Sequence, residues 1–563
     1  MSTKKKHSAA LALVLASSMA LTAACSNDDG GTDDATKGPD GTSTTAAGVE
    51  IPEAQRVGAM ADFAVGTTFK ATEPVTFGML YRDHPNYPLK EDWLIFQQLK
   101  SNQNVSFDIT SAPLSDWDAQ KSLIISAGDA PDLITVTYPG QETQFVAGGA
   151  LLPISDYVQY MPNFQQKVKD WGLGDYVENL RQADGKYYML PGFYQSPQPQ
   201  YSMVIRKDAW DAAGVTEDPA TWDDFKADLE KVKAAHPDGW AYSDRWSTTN
   251  NTPLGATLNF AAPNFNTMAG WGFGNGLWYD QDSKKFEYAP TTQGYKDLVG
   301  YFADLVAAGL LDPESVTQDD ETAVQKFTSG ESQTIAGNTQ EINTYRTSFA
   351  DAGTDAELRL IRVPAGPGGD NVAAGSRTAS GFMLSSKVKD KPYFQALLQF
   401  VDWLYYSDEG LEFAKWGVEG TTFTKDGGKR ALAADVDWNG LNPGGTKLLN
   451  ADFGFSNGVF MLANGSSDEE VMSMSSDEVV EFVESMADKT ELPLAPTAPL
   501  DEMAQEQVTL LQSALNDSVV QNTAAFILGK RPMSDWDAWL GELKGLNVDQ
   551  YVETYNQALA NRG

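Results

Sequence analysis

Four tryptophans lie in polar, glycine-rich or hydroxyl-rich stretches where a core side chain is not expected: Trp246 in "SDRWSTTNN", Trp271 and Trp278 in "AGWGFGNGLWYD", and Trp416 in "KWGVEG". Flat rings beside carboxylates, amides or guanidinium groups have the chemistry of a sugar site. A sugar ring offers an apolar C–H face to the aromatic platform and a rim of hydroxyls to the polar groups. Asp244 and Arg245 directly precede Trp246, and Glu419 closely follows Trp416. The same ring can instead plug the underside of its own loop, so residue type alone leaves both roles open at each position.

Covalent chemistry has weaker support. Outside the leader described below only His84 and His236 remain, and no Gly-x-Ser-x-Gly follows a strand-like run. A serine nucleophile with a histidine base therefore lacks its signature. HExxH and paired cysteines are missing, and "GPGGD" and "GFGNG" carry neither the phosphate-loop lysine nor the dinucleotide spacing. No metal site and no cofactor are expected. Asp and Glu number 77, so a carboxylate pair for glycoside hydrolysis cannot be removed by counting, and an exported carbohydrate-active enzyme stays as an alternative. The formal charge is −36, and losing the three leader lysines makes it −36 − 3 = −39. A polyanion would be repelled, and no basic stripe is visible, so nucleic acid is not expected as a partner.

These side chains have to be held in place by regular elements. "PVTFGML" alternates Val75, Phe77 and Met79 with Thr76 and Gly78, as a strand does, and "NVSFDIT" alternates again. "LKEDWLIFQQLKSNQ" spaces Trp93, Phe96 and Leu99 along one helix face, and "SDWDAQKSLIISAG" offers Ser115 as a cap. "PDLITVTY" reads as a buried strand. The order is β-α-β-α-β with connections too long for hairpins, which predicts parallel strands and right-handed crossovers. Loops at the C-terminal ends of such strands face a ligand crevice, which selects Tyr81, Arg82, Asp83 and Tyr138. Asn338 and Gln340, after the short strand "QTIAG", are candidates of the same kind. In "PATWDDF", Thr221 can cap a helix while Asp224 returns the bond to the cap amide. "GYKDLVGYFADLVAAGLLDPES" puts Leu298, Phe302, Leu305 and Val306 on one face, with Gly309 as a left-handed cap. A chain of 563 residues can bury two cores or more, and no segment after the leader is apolar for long enough to cross a bilayer.

The leader itself is readable. Lys4, Lys5 and Lys6 precede an apolar run from Ala9 to Leu21, too short to span as an ordinary transmembrane helix, and small residues follow. This is an export signal over residues 1–24. Leu21-Thr22-Ala23-Ala24-Cys25 resembles a bacterial lipobox, with the departure that leucine stands four places before the cysteine and Thr22 three. Cys25 is the only cysteine of the chain, has no disulfide partner, and is expected to carry lipid. Two acyl chains give stable membrane attachment. From Ser26 to about Gly48 the chain is mostly Asp, Gly, Thr, Ser and Ala with no large apolar side chain, a composition that suits a flexible tether over residues 25–50.

A series of stretches in one order resembles a known family. "SAGDAPDLITV", "DGKYYMLPGFY", "YSMVIRKDAWDAAGVTEDPATWDDFKADLEKV", "KFTSGESQTIAGN", "GFMLSS", "FVDWLYYSDEGLEFAKWGVEGTTF" and a terminal "AFILGKRPMSDWDAWLGELKGLNVDQYVETYNQAL" are similar to the extracellular solute-binding proteins of family 1, the sugar-binding components of ABC importers. The likeness runs from about residue 75 to the end. It implies an α/β, two-lobe periplasmic-binding-protein-like fold with a hinge and an interlobe cleft. The implied lobes are residues 70–198 with about 377–440, and 199–376 with about 441–563, the chain crossing near "SPQPQYSMVI" and returning near "SRTASGFMLSS". It also implies that the loops of Trp246, Trp271, Trp416 and Glu419 line the cleft, beside Arg82, Asp83, Tyr138 and Asn338. The implied role is a monomeric, lipid-anchored extracellular receptor that is not an enzyme, touches the membrane only through its anchor, and delivers an oligosaccharide to permease subunits. An acidic sugar would call for cations, for which Arg82, Arg245 and Arg377 are available. A peptide-binding receptor is a variant of this role, and a purely structural surface lipoprotein would carry the same leader.

Overall fold

The computed structural model describes residues 49–247, 252–375, 377–427, 429–460, 465–498 and 500–561. Cys25, the export signal and the tether up to residue 48 lie outside the described residues. Among these residues no helix is long and apolar enough to cross a membrane.

Eight strands carry the two main sheets: β1 (Val75–Asp83), β2 (Val105–Pro113), β3 (Leu133–Thr137), β4 (Met189–Phe193), β5 (Tyr201–Arg206), β6 (Thr334–Asn338), β7 (Leu358–Leu360) and β8 (Thr378–Leu384). One sheet has the order β2-β1-β3-β8-β4, the other β6-β5-β7. β1 runs parallel to both β2 and β3, from Val75 opposite Val105 to Asp83 opposite Pro113, so the β-α-β-α-β order does give a parallel sheet. β8 returns antiparallel between β3 and β4. In the second sheet β5 is antiparallel to both neighbours.

Burial explains the strand patterns. β1 begins buried, exposed, buried at Val75, Thr76 and Phe77, whereas every residue of β3 is buried, as a central strand covered on both faces requires. Phe400, on the almost wholly buried helix Phe394–Tyr406, packs against Phe77 with ring centroids 5.5 Å apart. Asp132 ties the layers: its carboxylate accepts from the Gly78 amide and the Tyr393 hydroxyl, both at 2.8 Å. Thr221 and Asp224 form the expected capping box, and Gly309 takes the left-handed conformation. Ser115 is not the cap it was expected to be. It lies inside a 3-10 turn, Leu114–Asp116, and the helix Trp117–Ser126 starts from Asp116 with no side-chain cap bond.

Among the described residues two large hydrophobic cores form, beside a small third cluster of Trp246, Ala256 and Ala336. The first draws on residues 51–193 and 382–460, the second on 203–372 and 479–551. The chain thus leaves the first core after β4, enters the second at β5, and comes back at β8. Leu449, Phe455, Val459 and Phe460 belong to the first core, although residues beyond about 441 were expected with the second. The C-terminal helices Glu502–Ile527, Trp536–Gly545 and Val548–Ala560 do pack into the second, through Phe526, Trp539 and Tyr551 among others.

Candidate functional site

Where the chain passes between the cores, a cavity of about 400 Å³ opens. Tyr138, just past β3, and Tyr194, just past β4, reach it from the first core. Asn259 and Phe260, on the short helix Gly255–Ala261, reach it from the second. Its floor is the crossing chain itself: Gln198, Gln200 and Tyr201 on the way out, Thr378 and Ser380 on the way back. The rings are aromatic platforms, and the polar groups are amides and hydroxyls that both donate and accept. Among the described residues, no charged side chain lines this cavity. Burial pushes the phenols of Tyr194 and Tyr201 up in pKa, so both remain protonated at ordinary pH.

Local packing fixes these groups. Gly272 lies so close to Asn259 that a β-carbon there would overlap the Asn259 Oδ1, so only glycine lets the amide sit as it does. Gln200 Nε2 lies 3.5 Å from the Tyr194 hydroxyl. The Tyr201 ring meets Trp246 and Trp271 edge to face, each with centroids 5.8 Å apart, and those two indoles are 5.2 Å from one another. Two further cavities adjoin. One of about 530 Å³ shares Asn259, Pro263 and Ala373 with the first and extends to Trp278 and Tyr279; one of about 120 Å³ shares Tyr194, Gln198, Pro199 and Gln200 and reaches Gln340 and Lys415.

The residues singled out in the sequence are distributed unevenly around this site. Tyr138 lines it and is 49 % exposed. Trp246 and Trp271 stand behind Tyr201; Trp246 is buried with the Arg245 guanidinium 4.4 Å over its ring, and Trp271 lines a different cavity of about 500 Å³. Asp244 and Arg245, read as the polar rim of Trp246, are internal supports. Arg245 pairs with Glu341 at 2.7 Å and Asp320 at 3.2 Å, and Asp244 accepts from Thr257 and from the amides of Arg245 and Ala336. Arg377 is spent on the carbonyls of Trp171 and Gln195.

The remaining candidates lie outside the three adjoining cavities. Asn338 closes the turn before the helix Glu341–Asp351, accepting from the amides of Gln340 and Glu341 at 2.9 and 2.7 Å. Asp83 accepts from the Leu89 amide at 2.9 Å and closes the loop after β1, while Arg82 lies beside Gly458 and Tyr87. His84 stacks on Tyr87 as a loop residue, with centroids 4.4 Å apart. Trp416 is buried against Phe423 at 5.7 Å, and Glu419 is exposed on the turn that follows. Sequence reasoning passed over Tyr194, Gln198, Gln200 and Tyr201. The signal was there in "YQSPQPQY", where two tyrosines and three glutamines frame prolines that keep the crossing extended.

Two α/β bodies, each with its own core, and a neutral aromatic cavity at their crossing define a two-lobe solute-binding protein. The chain belongs to the bacterial extracellular solute-binding protein family, whose model matches residues 86–410. No curated protein sequence matches it. Among solved structures it is similar to an HMO-binding, ABC-transporter-associated solute-binding protein from Bifidobacterium longum infantis, at 18 % identity and a TM-score of 0.64, covering 86 % of this chain and 98 % of that one. It is similar to the alginate-binding protein AlgQ2 at 16 % identity and a TM-score of 0.61, covering 87 % and 99 %. It is also similar to the S. pneumoniae ABC-transporter substrate-binding protein FusA in complex with kestose, at 18 % identity and 0.56, covering 87 % and 100 %.

Proposed function

We propose that this chain is the substrate receptor of an ABC importer, held on the outer face of a membrane by lipid on Cys25, and that its cargo is an oligosaccharide. The observation that carries this reading is the cavity between the two cores, where aromatic rings alternate with amides and hydroxyls. Stacking on C–H faces and hydrogen bonding to a hydroxyl rim is what that set of groups does. The fold is shared with an HMO-binding protein, an alginate-binding protein and a protein solved with kestose, which agrees with a sugar as cargo. The first lobe comprises residues 70–198 with 377–460 and the second residues 199–376 with those after about 479; they act as one monomer. A ligand that touches both lobes favours the closed arrangement, and the closed form docks on the permease.

The reading is of a receptor and not of an enzyme. Glycoside hydrolysis requires two carboxyl groups flanking the scissile bond, and the lining of the central cavity, among the described residues, offers none. The test is a thermal-shift screen of residues 26–563 against oligosaccharides and peptides, with chromatography of every hit. A sugar at a hundred times its dissociation constant raises folding stability by about 2.7 kcal/mol. A saturable shift with intact glycan is expected. Cleavage products would make the protein an enzyme, and a shift with peptides alone would make it a peptide receptor.

A further inference from the structure

We infer that the cargo is an uncharged glycan and that its chain continues from the central cavity onto Trp278 in the adjoining one; this rests on the carbohydrate reading above. The two cavities have Asn259, Pro263 and Ala373 in common, so they lie side by side, and a ligand against Tyr201 and Phe260 has only these residues to pass to reach the Trp278 side. Trp278 stands on the hairpin formed by Leu277–Asp280 and Lys285–Tyr288, and its half-buried ring gives the second cavity its own platform. Asn259, held in place beside Gly272, presents its amide at the junction.

Charge decides the class. A carboxylate or sulfate taken out of water has to be paired with a cation. Among the described residues, neither the central cavity nor the Trp278 cavity is lined by Lys, Arg or His. Of the three arginines that could have served, Arg245 is paired with Glu341 and Asp320, Arg377 is bound to backbone carbonyls, and Arg82 stands near Gly458, outside the lining of both cavities. Among the described residues, the only charged groups lining these two cavities are Asp280 and Asp282 in the Trp278 cavity, and they repel an anion. Lys415 lines only the third and smallest cavity, off the path to Trp278.

The test is calorimetric titration of the mature protein with neutral malto-, cello-, xylo- and fructo-oligosaccharides of two to six units, and with oligogalacturonates and sialylated oligosaccharides of matching length. At least one neutral series is expected to bind, with affinity rising with length and acidic sugars at least tenfold weaker. Trp278→Ala is expected to lower affinity for the longest binders by about tenfold and leave the disaccharide unchanged, with Trp278→Phe restoring most of the loss. Tighter binding of the acidic series, or an equal loss for short and long ligands in Trp278→Ala, overturns this inference while the receptor reading stands. Binding by no member of either panel overturns the carbohydrate reading and this inference with it.

Discussion

The ring of Tyr201 meets that of Trp271 edge to face, 5.8 Å between centroids, and the pair stands between two cavities: Tyr201 lines the one at the lobe crossing, Trp271 another of about 500 Å³. Trp246 braces both rings from a buried position. Direct contact and support should therefore separate on mutation. Tyr201→Ala is expected to weaken ligand binding at least tenfold with a modest loss of stability. Trp246→Ala leaves a hole behind the platform and should cost about 3–5 kcal/mol of stability. Its effect on affinity, measured well below the melting temperature, should be the smaller of the two. A large loss of affinity in Trp246→Ala with an unchanged melting curve would place the indole at the ligand instead.

Arg245 is the second support. Its guanidinium bridges Glu341 and Asp320, donates to the Tyr345 hydroxyl at 3.0 Å, and covers Trp246. Removing it leaves two carboxylates facing each other across a mostly buried space. The Glu341 and Asp320 side chains are 26 % and 35 % exposed, so solvent relieves part of that cost. Arg245→Met is expected to destabilise by about 2 kcal/mol. The melting temperature in low and high salt is the measurement; a variant as stable as the parent would show that the pairs contribute nothing net.

How far the sequence disclosed all this depends on the kind of signal. Strands and helices that bury one face announce themselves by period, which is why Val75, Phe77 and Met79, the capping pair Thr221 and Asp224, and Gly309 could be placed in advance. The parallel pairing of β1 with β2 and β3 followed from connection length alone. The cavity was less legible. Residue type says that Trp246 is a large flat ring, but whether that ring faces ligand or fills the space behind Tyr201 is set by contacts between segments 45 residues apart in sequence. Asn338 and Asp83 show the same ambiguity, since a strand-end amide or carboxylate can serve a ligand or tie the following turn, and here both tie turns. Ser115 failed as a cap because a 3-10 turn displaced the helix start to Asp116.

Lys415 gives a pH prediction with a definite sign. It is fully buried beside the third cavity, and burial lowers its pKa from 10.5 to about 8, with Glu470 opposing the shift. A lysine whose folded pKa lies below its unfolded one loses its proton first in the folded state. Between about pH 8 and 10.5 the unfolded chain binds more protons, so stability contributed at this site rises with pH there. Below pH 8 both states are protonated and the net cost of keeping the buried ammonium charged, about 3 kcal/mol, is present in full. Lys415→Met is expected to melt higher than the parent at pH 7, with the difference shrinking toward pH 10. The difference between the two melting curves across pH isolates this group from the tyrosines.

The lipid on Cys25 proposed above has a simple consequence. Expressed with its leader in a bacterial host, the protein should sediment with membranes, and mass spectrometry of its N-terminal peptide should show diacylglycerol on the cysteine. Cys25→Ser is expected to release it into the soluble or culture fraction, since the residues after position 25 hold no second anchor by composition. A Cys25→Ser protein that still sediments would mean that the leader is retained as the anchor.

In the receptor proposed above, closure links the cavity to transport. Tyr138 extends from the end of β3 and Asn259 and Phe260 from the helix Gly255–Ala261, so one cavity is shared by side chains fixed to two separate cores. A ligand bound equally by open and closed forms would shift nothing; moving a population from one part in a hundred closed to ninety-nine parts requires about 10⁴-fold tighter binding to the closed form. That preference can arise only from contacts made in one arrangement and lost in the other, and contacts from opposite lobes are the ones that closure makes or breaks. Saturation with a binding glycan is therefore expected to lower the radius of gyration measured by small-angle scattering. Tyr138→Ala removes a first-lobe contact at an exposed position while leaving Asn259 and Phe260 in place. It should weaken binding and reduce the compaction at saturation, whereas Phe260→Ala should lower affinity by removing the opposite contact. A Tyr138→Ala variant that binds tenfold more weakly yet compacts fully would mean that Tyr138 contributes equally to both forms, and that the closing contacts come from the crossing segments themselves.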